Sequence, residues 1–198
     1  LGHAGIGDKS YGDDSSLMSS SYGRTDGPRK CYNGQSFWRL GWYASQSVSL
    51  ELSAITGPVR VEIAAFTDYP KVKPTQAIVV RIGDLFLVYN RAESFNSQTG
   101  DVADCVSIVR EHGISSQLLF GLNESLNRFA DDSSPLKIQF CSRFDGGESL
   151  ADSITVGIGF DMTPCDSQVT VTPMSDGPEE EAPAPTNGPT KEHTLSPS

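Results

Sequence analysis

The chain has 198 residues and a formal net charge of −10. That is length enough for one good-sized domain with extensions, and the wrong sign of charge for a nucleic-acid binder. No apolar run approaches the roughly 18 residues of a membrane-spanning helix.

The first zone, residues 1–43, is rich in Gly, Ser and Asp and closes on "CYNGQSFWRLGWY". Asn33 is suited to an N-cap and Gly41 to the residue after a helix C-terminus, so a short helix is expected between them. Its aromatic residues, Phe37 and Trp38, read as core, with a binding role for Trp38 or Trp42 as the lesser reading. The second zone, residues 44–165, alternates with a period of two, the mark of half-buried strands. Val48, Leu50 and Leu52 share one face in "SVSLEL", as do Val59, Val61 and Ile63 in "VRVEI". "AIVVRIGDLFLVYN" reads as two strands turning near Gly83-Asp84. "CVSIV" and "SQLLF" are further strands. Leu118, Leu122, Leu126 and Phe129 have a helical spacing, but a hairpin turning at Asn123-Glu124-Ser125 is preferred. "LKIQF" and "ITVGIGF" complete the set, with Leu136, Ile138 and Phe140, then Ile154, Val156, Ile158 and Phe160, facing inward. Short strands broken by Gly- and Pro-containing turns predict a β-sandwich-like, mainly antiparallel domain. The third zone, residues 166–198, is acidic and rich in Pro, Ser and Thr, a composition that predicts a disordered tail.

Cys31, Cys105, Cys141 and Cys165 are widely spaced with no CxxC pair. One or two disulfides in an oxidising compartment are expected, and four cysteines leave three full pairings open. Asn123-Glu124-Ser125 is an N-glycosylation sequon, which agrees with secretion. Asp8, Asp13 and Asp14 offer hard oxygen donors but lack calcium-loop spacing, so they read as a solvated loop. His112 and His193 read as surface residues. There is no GxSxG, P-loop or dinucleotide fingerprint.

"LGHAG", "YGDDSSLM" and "PRKCYNGQSFWRLGWY", in that order, resemble the gametolysin family of metzincin metallopeptidases. The signature of metzincins is HExxHxxGxxH followed by a Met-turn. The resemblance implies that His3 is the third metal ligand and Met18 the Met-turn residue, packed below the metal. Tyr22 becomes a candidate auxiliary ligand or oxyanion stabiliser, with packing as its simpler role. The two other ligands and the general-base Glu are then expected upstream of Leu1, and the chain alone is expected to be inactive. Three protein ligands and an open position for water make a catalytic zinc site. Copper becomes an option where the first ligand is Gln.

The resemblance thus implies a remnant of a metzincin α+β catalytic domain (residues 1–43, Met-turn and short helix), followed by the β domain and the tail. The expected function is that of a secreted, extracellular metalloendopeptidase cleaving proteins or glycoproteins of the extracellular matrix or cell wall. The competing expectation is a non-catalytic extracellular β-sandwich binding module on an acidic stalk.

Overall fold

The computed structural model describes residues 1–19, 29–160 and 164–173. In chain order the described elements are β1 (Ala4–Ile6), α1 (Gly34–Leu40), β2 (Ser47–Leu50), β3 (Val59–Ala64), β4 (Val79–Ile82), β5 (Leu85–Asn90), β6 (Cys105–His112), β7 (Ser115–Leu122), β8 (Arg128–Ala130), β9 (Lys137–Phe144) and β10 (Ser153–Gly159). They form a six-stranded sheet, ordered β1-β7-β6-β5-β4-β2, and a four-stranded sheet, ordered β3-β10-β9-β8. The neighbours β1–β7 and β2–β4 run parallel, and every other named pair is antiparallel.

The two sheets bury one apolar layer between them. Val61, Ile63, Ile82, Leu87, Tyr89, Ile108, Ile138, Ile154, Val156 and Ile158 belong to it, all at 1% exposure or less. Val61, Ile63, Ile138, Ile154, Val156 and Ile158 are inward positions that the period of two marks. Tyr89 also carries its hydroxyl into this layer, where it has no hydrogen-bond partner among the described residues.

A second apolar cluster covers the other face of the six-stranded sheet. Phe37 of α1 is fully buried there against Phe66, Phe86, Val88, Val109 and Leu118. Every residue of β5 is therefore buried: Leu85, Leu87 and Tyr89 face the other sheet, while Phe86 and Val88 face the helix cluster. A strand covered on both faces reads as a continuous apolar run rather than an alternation. Burial of a Phe side chain is worth about 1.5–3 kcal/mol, so Phe37 fastens α1 to the sheet.

The helix forms where its caps predict. The Asn33 side chain accepts a hydrogen bond from Ser36 N–H, and Gly41 takes the left-handed conformation at φ 68°. The Gly41 and Trp42 amides then bond the carbonyls of Trp38 and Phe37. Arg81 lies over the partly buried Trp38 ring at 5.5 Å, while Trp42 stays 43% exposed.

The structure adds particulars to four sequence expectations. Residues 1–43, read as a unit of their own, share a sheet and an apolar core with residues 44–165 through β1 and α1. The expected hairpin at Asn123-Glu124-Ser125 is a turn between sheets: β7 belongs to the six-stranded sheet and β8 to the four-stranded one. Of the four cysteines, Cys141 and Cys165 form a disulfide, while Cys31 and Cys105 are free thiols. Within the expected tail, residues 166–173 lie against the domain. Arg60 N–H donates to the Val169 carbonyl at 2.7 Å and Val171 N–H to the Arg60 carbonyl at 2.8 Å. The disulfide holds the chain beside the four-stranded sheet, and the edge of β3, which further along bonds Ala77, supplies these backbone partners. Residues 174–198 lie outside the described residues.

Candidate functional site

His3 immediately precedes β1, and backbone bonds fix its position. Gly2 N–H donates to the Ile114 carbonyl at 2.8 Å, and Ser116 N–H donates to the His3 carbonyl at 2.9 Å. His3 N–H donates to Ser115 Oγ at 3.1 Å. From the other side, Ala4 N–H donates to the Met18 carbonyl at 3.1 Å. Met18 occupies a tight turn closed by Ser19 N–H on the Ser16 carbonyl at 3.1 Å, and Leu17 N–H ties that turn to the Cys31 carbonyl at 2.8 Å. Residues far apart in sequence, His3, Met18 and the segment leading into α1, thus meet through main-chain bonds.

Asp13 lies behind this junction at 0% exposure. Its Oδ1 accepts from Ser15 N–H at 3.0 Å and from the Ser15 hydroxyl. Asn33 Nδ2 reaches Asp13 Oδ2 at 3.5 Å and donates to Ser116 Oγ at 2.7 Å. A buried polar chain therefore runs from Asp13 through Asn33 to Ser116, whose amide holds the His3 carbonyl. Burial pushes the Asp13 carboxyl above its ordinary 3.8, with the bonds from Ser15 and Asn33 pulling the other way and the Asp101 charge adding to the rise.

The His3 imidazole is exposed. Its Nε2 lies 2.6 Å from the Tyr11 hydroxyl, with ring centroids 4.0 Å apart. It opens on a cleft of about 320 Å³ that Asp8, Lys9, Ser115, Gln117 and His112 also line. His112, read from sequence as an unrelated surface residue, shares this cleft because β6 and β7 pair His112 with Ser115. No motif in the sequence carries that register.

The remaining candidates lie elsewhere. Tyr22 falls outside the described residues. Asp14 pairs with Lys30, and its N–H donates to Asp101 Oδ2 at 2.7 Å. Burial raises the thiols of Cys31 and Cys105 above their ordinary range, which disfavours the reactive thiolate. Asn123 Nδ2 donates to Cys105 Sγ at 3.2 Å, while its Oδ1 accepts from Ser125 and Leu126 N–H at 2.9 and 2.8 Å. The sequon asparagine thus shapes the turn between the two sheets. Among the described residues, no group of three His, Cys, Asp or Glu side chains is gathered to hold a metal ion.

No family model, no curated protein and no solved structure matches the chain.

Proposed function

We propose that this chain is the C-terminal portion of a secreted zinc metalloendopeptidase of gametolysin type, acting on proteins or glycoproteins of the extracellular matrix or cell wall. The observation that carries the proposal is the bond from Ala4 N–H to the Met18 carbonyl. It seats a tight turn containing Met18 beside the strand that follows His3, which supports the reading of Met18 as a Met-turn residue. The Cys141–Cys165 disulfide supports an oxidising compartment.

The donor chemistry fits zinc at His3: an exposed imidazole is a suitable ligand, and it supplies one position of a site whose other ligands would come from upstream. Zinc, when bound, activates water and polarises the scissile carbonyl. His3 would hold the ion, and Tyr11 would yield Nε2 to it. Met18 would pack beneath, and the Asp13–Asn33–Ser116 chain would keep the His3 backbone in register. Copper replaces zinc in this proposal where the first ligand is Gln.

The test is the coding sequence upstream of Leu1 together with the protein extended to include it. The expected reading is [HQ]-E-x-x-H-x-x-G, with about one metal bound per chain and peptidase activity abolished by His3→Ala. A different upstream sequence, or full activity in His3→Ala, overturns the proposal.

A further inference from the structure

The sheet order β1-β7-β6 brings a second imidazole to His3. His3 lies against Ser115, through its own N–H on Ser115 Oγ, and Ser115 pairs with His112 across the antiparallel β6–β7 ladder. Directly paired residues project from the same face of a sheet. Two strand spacings separate the His3 and His112 backbones, roughly 10 Å, and both side chains line the one cleft of about 320 Å³. Asp8 and Lys9 lie in the same cleft. Two exposed imidazoles flanking a serine hydroxyl suit a divalent ion of borderline softness better than a hard cation, which prefers oxygen donors.

We propose that His3 and His112 form one transition-metal site across β7, so that the β domain contributes a donor to the ion held by His3. The inference rests on the reading of His3 as a ligand. It assigns the β domain a part in the metal site itself. A catalytic zinc held by three protein ligands and a water at times expands to five-coordinate, so a donor from β6 is compatible with two ligands from upstream, His3 and the water.

The experiment is a calorimetric titration of the 198-residue chain, its α-amino group acetylated, with Zn²⁺ alone. His3→Ala and His112→Ala are each expected to weaken binding at least tenfold, while His193→Ala binds as the unaltered chain does. Equal affinity in His112→Ala, loss of affinity in His193→Ala, or no binding by the unaltered chain overturns the inference. A second readout needs no substitution: the imidazole carbon-bound proton resonances of His3 and His112 should move together as Zn²⁺ is added. Movement of His3 alone overturns the pairing. The two proposals fail separately. An upstream sequence without the motif removes the peptidase reading and leaves the two-imidazole site standing, whereas His112→Ala binding unchanged beside an intact upstream motif does the reverse.

Discussion

Asp13 shows how a single buried carboxylate sets a condition on the candidate site. Its folded-state pKa is raised chiefly by burial, so between the ordinary value and the raised one the folded chain binds more protons than the unfolded chain. Its contribution to stability is full below about pH 4 and declines as the pH rises through the folded-state pKa. Asp13→Asn removes that decline and keeps an oxygen for the Ser15 donors. The urea midpoint of Asp13→Asn, relative to the unaltered chain, should therefore rise from about pH 4 upward and level off above the folded-state pKa. A constant offset across that range would show that the carboxyl does not titrate as its burial demands. At this scale His3 and Met18 stand out in the sequence only through the resemblance to a known family. Asp13 looked like one member of an acidic loop and His112 like a surface residue. What distinguishes each is a partner more than 19 positions away: Asn33 for Asp13, and β1 across β7 for His112.

Among the elements, α1 was the most legible, since both of its ends carry their own chemistry. Gly41 has a positive φ and nothing within 4 Å of where a Cβ would stand. Gly41→Ala thus meets backbone strain and no side-chain clash, and should cost about 1 kcal/mol in urea unfolding. A neutral result would show that the helix ends without help from the left-handed residue. The segment 115–122 was the least legible, and the cause is a bulge. The β6–β7 register passes from Val109–Leu118 to Ile108–Phe120, leaving Leu119 as an extra residue. Leu118 therefore packs with the helix cluster, while Phe120 and Leu122 pack between the sheets. One inserted residue reverses which parity faces inward, so "SQLLFGL" loses its alternation and takes on a helical spacing by accident.

For the whole molecule, the apolar period of two was sufficient to indicate two packed sheets, but not how the chain connects them. The cysteine pairing depends on that connection. Cys141 on β9 meets Cys165 because the segment after β10 folds back along the four-stranded sheet. A cross-link spanning 24 positions contributes about 3 kcal/mol in the chain-entropy account. Cys141→Ser with Cys165→Ser, or reduction of the bond, should lower the unfolding free energy by about that amount. Cys31→Ser should leave the response to reductant unchanged. Insensitivity of the unaltered chain to reductant would show that the fold-back of residues 164–173 holds without its cross-link.

The parallel pairing of β1 with β7 sets Ala4 beside Ser116, and this has a consequence for the order of events during synthesis. Residues at the start of the chain cannot find their sheet until the ribosome has released β7. At roughly 5–20 residues per second, the wait is on the order of ten seconds. His3 then joins an edge that is complete only after the β6–β7 hairpin has formed. The cleft thus assembles only after the last strand of the six-stranded sheet is released, and a metal ion seated there would mark molecules whose six-stranded sheet is already built.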